Sequence, residues 1–259
     1  MKPLFDLTGK VAIITGSSRG IGRAIAEGLA AHGAKVVISS RNQDACDEVA
    51  AAINAEHGAG TAIAVAASIS SKQALQEMVD ETVRQFGPVD ILVCNAASNP
   101  HYGSLGTITD EQFRKIFDNN VLANHWLIQM TSPGMLDRGK GSIIILSSVG
   151  GLTSSTKIGA YNISKAADLQ LVRNLAAEFG PRGVRINAIA PGLIKTDFAK
   201  ALWDNPETLK AVTSIAALKR IGEPEELAGI AVFLASDASS FVTGQGILVD
   251  GGSTFGAGF

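Results

Sequence analysis

Thr15-Gly16-Ser17-Ser18-Arg19-Gly20-Ile21-Gly22 is the stretch that decides how this chain is read. A β-branched run, Val11–Thr15, leads into it, and an Ala-rich segment of helical period, Ile21–His32, leads out. A glycine turn between a strand and a helix lets the backbone pass close to a bulky anion. The helix start adds free N–H groups and the positive end of its dipole. The spacing is Gly-x-x-x-Gly-x-Gly rather than the better known Gly-x-Gly-x-x-Gly. Glycine serves any tight turn, so position carries more weight than spacing: the cluster closes the first strand and opens the first helix.

Outward from this turn the same alternation repeats. Strands are expected at Lys35–Ser40, Thr61–Ala66, Asp90–Cys94, Ser142–Ser147, Val184–Ala190 and Ile247–Asp250. Helices are expected at about 44–57, 72–86, 110–131, 161–179 and 224–235. The strands are nearly continuous in apolar residues, as in a parallel sheet buried on both faces. Strand-then-helix order with short links implies right-handed crossovers and a doubly wound α/β layer. One domain over 1–259 is expected, with Gly192–Gly222 as its longest irregular connection. A long loop leaving a strand end suggests a substrate lid at about 193–222, an ordinary surface excursion being the alternative.

Composition narrows the function. Hydrophobic residues make up 46% of the 259, enough for a sizeable core, and 18% charged residues argue against disorder. A net charge of −2 with no basic run gives no sign of a nucleic-acid partner. The N-terminal residues hold no apolar signal core, and no apolar stretch reaches membrane-spanning length, so a cytoplasmic protein without a membrane partner is expected. Cys46 and Cys94 form no CxxC pair, and the four histidines lack metal-ligand spacing, so no metal is expected.

The second strand ends in Ser39-Ser40-Arg41. In NAD sites an acidic residue near this point bonds the ribose 2′-hydroxyl. Here it is missing, and Arg41 can pair a 2′-phosphate in fork geometry. Arg19, inside the glycine turn, could press on the same phosphate. This favours NADP(H) over NAD(H). The competing reading makes Arg41 a solvated residue opening the second helix.

Tyr161 and Lys165 stand four residues apart on an expected helix and so share a face. A nearby ammonium favours phenolate and would make the phenol a usable acid/base. Ser148 follows the strand Ile143-Ile144-Ile145-Leu146-Ser147, at the sheet edge where a ligand should sit, and could bond a substrate oxygen. Read alone, it is equally a turn residue.

Taken in order, Thr15–Gly22, Asn95-Ala96, Asn120-Val121, Ser148, Tyr161-x-x-x-Lys165 and Pro191-Gly192 resemble the short-chain dehydrogenase/reductase superfamily over essentially the whole chain. The resemblance implies a Rossmann-type sheet of seven parallel strands flanked by helices. It also implies a catalytic set of Asn120, Ser148, Tyr161 and Lys165. Tyr161 would donate the proton in carbonyl reduction. Lys165 would hold the nicotinamide ribose, Ser148 would orient the carbonyl, and Asn120 would hold a relay water. Cofactor contacts are implied at Gly16, Ser18, Arg19, Gly20, Ile21 and Gly22 in the turn, and at Ser40 and Arg41. Further contacts are implied at Asn95, Ala96, Tyr161 and Lys165, and at Pro191, Gly192, Ile194 and Thr196. Two positions depart from the family pattern. Ala97 stands where a glycine is common, which asks for a negative φ. Ser68 stands where many members carry an adenine-contacting Asp.

Segments Asn95–Pro100, Ala190–Thr196 and Arg220–Glu225 resemble, more narrowly, the NADPH-dependent carbonyl/retinal reductase branch. The expected activity is hydride transfer between NADP(H) and a ketone, aldehyde or secondary alcohol. His101 and Tyr102 could line the pocket mouth. Phe198, Leu202 and Trp203 on the lid suit an apolar carbonyl, or instead pack on the core or a neighbouring subunit. A 3-oxoacyl-thioester reductase is the alternative, with Lys195, Lys200, Lys210 and Arg220 as its basic residues. A non-enzymatic dinucleotide sensor is a further one, but it has no use for a tuned phenol. The family resemblance also implies a homotetramer, with the 110–131 and 161–179 helices and the segment around Phe255 and Phe259 at its interfaces.

Overall fold

The strands alternate their apolar side chains between two faces, and this sets the architecture. In the computed structural model, which describes residues 3–255, seven parallel strands lie in the order β3-β2-β1-β4-β5-β6-β7. They are β1 (Val11–Thr15), β2 (Lys35–Ser39), β3 (Ala62–Ala64), β4 (Ile91–Cys94), β5 (Gly141–Leu146), β6 (Val184–Pro191) and β7 (Gly246–Val249). Ala12, Ile14, Val36, Ile38, Ile91, Val93 and Ile144 enter one core. Ile13, Val37, Leu92, Cys94, Ile143 and Ile145 enter the other. Both faces are dry, as expected of a sheet covered by helices on each side.

Nine α-helices are described: α1 (Gly20–Ala31), α2 (Gln43–His57), α3 (Lys72–Phe86), α4 (Asp110–Phe117), α5 (Ala123–Arg138), α6 (Gly159–Phe179), α7 (Lys200–Trp203), α8 (Pro206–Ile215) and α9 (Ala228–Ala235). Side-chain caps start α2, α3 and α4. Asn42 caps α2 by accepting from the Ala45 N–H, and Ser71 does the same for α3 from Ala74. Thr109 and Gln112 form a capping box on α4. The start of α1 is different, for no side chain caps it and its first turn holds no acid.

The doubly wound seven-stranded parallel sheet is as expected, and several boundaries move. The third strand shrinks from the expected Thr61–Ala66 to three residues. The chain still runs beside β2, with the Val65 N–H donating to Ile38 at 3.0 Å and the Ala67 N–H to Ser40 at 2.9 Å. The single helix expected over 110–131 is α4, then a π-helical turn at Asp118–Leu122, then α5. It continues past Pro133 because Met135 is buried beyond it, and it ends at Gly139 in the left-handed region. The stretch 224–235 opens as a 3-10 turn, Pro224–Leu227, closed by a Glu223/Glu226 capping box. Phe259 lies outside the described residues. No described helix is long and apolar enough to cross a membrane.

The strand order reverses between β1 and β4. β1 pairs β2 on one side and β4 on the other. A crevice therefore opens past the carboxyl ends of these two strands, where α/β sheets bind ligands.

Candidate active site

The glycine turn stands at that crevice, braced from both sides. Thr15 Oγ1 accepts the N–H groups of Asn95 and Ala96 at 3.0 and 3.1 Å. The Asn95 side-chain amide donates to the carbonyls of Thr15 (2.8 Å) and Gly16 (3.1 Å). Ser17 joins the turn to β2 by donating to Ile14 and accepting from the Ser39 N–H at 2.9 Å. The side chain of Asn95 therefore holds the turn. Thr15 and Ser17, neither singled out in the sequence, are the hubs of this brace. Their only sequence signal is a hydroxyl on each side of Gly16.

The turn fits a dinucleotide. Gly16 has φ +66°, and a Cβ there would lie 2.9 Å from Asn95 Nδ2. A Cβ on Gly22 would lie 2.4 Å from both Asn95 Nδ2 and the Gly16 carbonyl. With no side-chain cap on α1, its first N–H groups remain free for a phosphate. Ile21 packs against the core, and Ser18 is half-buried in the turn. Lys219 is the one described non-glycine residue with positive φ, so Ala97 keeps the negative φ that its place beside the turn requires.

At the end of β2, Arg41 is exposed and has no partner among the described residues. Arg19 pairs Asp197 of the lid at 3.1 Å, with both groups mostly exposed, a weak tie that a phosphate could replace. Ser40 bonds Cys46 Sγ at 3.1 Å and accepts from the Asn42 N–H. Ser68 bonds Ser70 at 2.8 Å.

The candidate catalytic side chains converge at the same edge. Tyr161 and Lys165 lie on α6, with the ammonium 5.7 Å from the tyrosine ring centroid. Ser148 lies two residues past β5 and accepts from the Gly150 N–H at 3.0 Å, so its own proton can go to a partner such as the Tyr161 oxygen. The Lys165 ammonium donates to the Leu146 carbonyl at 2.7 Å and to Asp168 Oδ2 at 3.0 Å. An ammonium has three protons, so one remains for a ligand oxygen. Burial pushes the Tyr161 phenol up, Lys165 pulls it down, Asp168 pushes it up again, and hydrogen bonding to Ser148 lowers it. The net direction is upward. The ammonium acts as expected, but burial outweighs it.

Asn120 is fully buried in the π-helical turn. Its side-chain oxygen accepts from the Ser98 N–H at 2.8 Å, and its amide donates to Ser164 Oγ at 3.0 Å and to the Ser98 carbonyl. No hydrogen bond among the described residues joins it to Lys165 directly. Its carbonyl instead accepts from Asn124, which also donates to Asp168.

The expected pocket residues divide. The Phe198 ring lies 6.0 Å from that of Tyr161 and is more than half exposed. Tyr102 is exposed, whereas His101 bonds back to the Ser104 carbonyl at 3.0 Å within its own loop. The Trp203 indole donates to the Thr196 carbonyl at 2.9 Å, bracing the lid base. It faces a depression shared with Leu209 and Ile221 that contains none of the four candidate catalytic residues, and Leu202 is half-buried beside it. Ile194 is buried and pairs with Gly222, and Thr196 Oγ1 caps the next turn. Gly192, following Pro191, donates to Val249 at 3.0 Å and sits so close to Asp250 that no Cβ fits.

A sheet that reverses its strand order beside an uncapped helix start, with a tyrosine and a lysine at the same edge, defines a class: nucleotide-dependent oxidoreductases on a Rossmann layer. Within it, the chain belongs to the short-chain dehydrogenase/reductase family. A family model described as enoyl-(acyl carrier protein) reductase matches residues 16–254. Dehydrogenase/reductase SDR family member 4 of Bos taurus is 42% identical over 95% of this chain and 88% of that relative. Proteins of this name are the branch that Asn95–Pro100, Ala190–Thr196 and Arg220–Glu225 resemble. Two solved structures share the fold throughout. A 7α-hydroxysteroid dehydrogenase complexed with NADH and 7-oxo glycochenodeoxycholic acid has a TM-score of 0.91 and 36% identity, covering 96% of each chain. A gluconate 5-dehydrogenase from Burkholderia cenocepacia with NADP and tartrate has a TM-score of 0.93 and 32% identity, covering 98% of each.

Proposed function

We propose that this protein is an NADP(H)-dependent carbonyl reductase acting on apolar ketones or aldehydes, or on their secondary alcohols in reverse. The observation that carries the reading is the gathering of Tyr161, Lys165 and Ser148 at the crevice beneath the exposed Phe198 ring. The nicotinamide, when bound, supplies or accepts the hydride. In reduction, Tyr161 gives its phenolic proton to the carbonyl oxygen while Ser148 donates a hydrogen bond to that oxygen. The phenolate left behind is stabilised by Lys165, whose remaining proton is available to a ribose hydroxyl. Asn120 holds the β4 loop and the π-helical turn that face this centre.

NADP(H) is favoured because the end of β2 offers an exposed Arg41 without a partner among the described residues, and no carboxylate. The thioester alternative wants free positive charge at the mouth for an acidic carrier or a CoA phosphate. Three of its four basic residues are already paired: Lys195 with Glu223, Lys200 with Asp204, and Arg220 with Glu226. The two lysine pairs are exposed and 3.8 Å long, weak ties like that of Arg19, so only the two-bond Arg220–Glu226 pair weighs against it. The reading includes a homotetramer, supported by the exposed apolar Leu122, Ile163 and Phe241. The free, buried Cys46 and Cys94 suit a reducing compartment such as the cytoplasm.

The deciding assay follows nicotinamide absorbance with NADPH and with NADH against an aromatic α-dicarbonyl, retinal and an acetoacetyl thioester. NADPH consumption with the dicarbonyl or retinal is expected. Turnover confined to the thioester would move the protein to acyl-chain chemistry. Silence throughout, with tight NADPH binding, would make it a sensor.

A further inference from the structure

Three residues past Lys165 on α6 lies a carboxylate that the proposed reaction does not use. Lys165 is 2% exposed and Asp168 0%, and their charged atoms are 3.0 Å apart. Asp168 Oδ1 accepts from Asn124 Nδ2 at 3.1 Å. Asn124 also donates to the Asn120 carbonyl at 2.6 Å, so the carboxylate is held from α5 as well as from α6. A buried ammonium left alone would lose its proton, and a buried carboxylate left alone would gain one. Each keeps the other charged only while the geometry holds.

We propose that Asp168 is a positioning residue for the Tyr161–Lys165 pair: its carboxylate, fixed by Asn124, anchors the ammonium beside the phenol and balances its charge. The proposal rests on the acid/base reading of Tyr161. With Asp168 ionised, Lys165 protonated and Tyr161 neutral, the buried site carries no net charge. Removing a proton from the pair makes it negative inside a dry cleft, which is costly. With the carboxylate gone, the same step takes the site from positive to neutral and happens at lower pH.

The charged groups acting on the pair come from two elements. Tyr161, Lys165 and Asp168 belong to α6, and Cys94 belongs to β4. Burial keeps the Cys94 thiol neutral, with Asp168 pushing in the same direction and Lys165 opposing. Burial favours losing the Lys165 proton, but Asp168 and Tyr161 hold it, so the ammonium persists. Asp168 stands three residues after Lys165 and seven after Tyr161, so all three share one face of α6.

The chain has two tyrosines, Tyr102 and Tyr161, so a Tyr102→Phe background leaves one phenol to titrate by ultraviolet absorbance without any substrate. In that background, Asp168→Asn should lower the phenolate midpoint by about one pH unit or more. The pH dependence of kcat/KM for alcohol oxidation should move the same way, with a lower plateau. If Asp168→Asn fails to fold, because it leaves an ammonium unpaired, Lys165→Met is compared with Lys165→Met/Asp168→Asn. The lone Asp168 carboxyl, raised by burial, still ionises below the range in which the buried phenol does, so the phenol should titrate lower in the double variant. Midpoints unchanged on removing the carboxylate in the folded pair of proteins would overturn the proposal, and a fall in activity without a shift would make Asp168 merely structural. A shifted midpoint with turnover retained in Tyr161→Phe would instead remove the proposed reaction and leave the control of this phenol standing.

Discussion

Tyr161 stands among influences that pull its proton in opposite directions, and burial prevails in the chain by itself. The phenol is thus held in its protonated form, the form from which the proposed reduction takes its proton, although a raised pKa makes it a weaker acid. Tyr161→Phe should keep NADPH binding, read by cofactor fluorescence, and lower turnover more than about a hundredfold. Retained turnover would take Tyr161 out of the chemistry. Arg41→Asp places a carboxylate where a ribose hydroxyl would be read, so the NADPH/NADH preference should shift towards NADH in paired kcat/KM measurements. An unchanged ratio would mean that Arg19 or another group reads the phosphate. Tyr161, Lys165 and Ser148 were legible because their spacing and strand-end position survive in one dimension. Asp168, Asn124, Thr15 and Ser17 were not. Asp168 lies one turn from Lys165, but its hold by Asn124, like the meetings of Thr15 with Asn95 and of Ser17 with Ser39, joins residues far apart in the chain, and a lone polar residue carries no sign of that meeting.

Elements were legible where one local rule decided them. The apolar runs of β1, β2, β5 and β6 left little choice, and α3 fell where expected because Ser71 caps it and Gly87 ends it. The π-helical turn was hidden, since it is held by the bonds of Asn120 to Ser98 and Ser164 rather than by propensity. The internal structure of the 193–222 segment was hidden too. Asn205 caps α8, yet α8 buries no residue, so its place depends on the Ile194–Gly222 pairing and the Trp203 brace. Helix against helix, the tightest constraint is Gly28 of α1, where a Cβ would lie 2.9 Å from that of Ala228 on α9. Gly28→Ala gains helix propensity but forces the helices apart, for a net loss of about 1 kcal/mol. Adding Ala228→Gly should recover most of it in chemical denaturation. Additive losses in the double variant would show that the two residues do not meet.

For the molecule as a whole, stability should depend on both faces of the sheet. Ile144 and Ile145 are neighbours on β5, both 0% exposed, yet they belong to different cores. Each Ile→Ala change should cost about 2–5 kcal/mol. At about 2–4 °C per kcal/mol for chains of this size, both should lower Tm by several degrees in calorimetry. A loss in only one would show that one layer of helices carries the fold.

The strand order also sets a timetable. β1 takes β2 as its first neighbour, but its other side waits for β4, whose residues follow about fifty positions later. At ribosomal speeds of about 5–20 residues per second, that side stays open for roughly 3–10 s on the nascent chain. Ala12, Ile13 and Ile14 offer unpaired backbone through that interval, a template for any passing strand. The arrangement that places the crevice beside β1 therefore also leaves an open strand edge in the emerging N-terminal half, a place for a chaperone to shield.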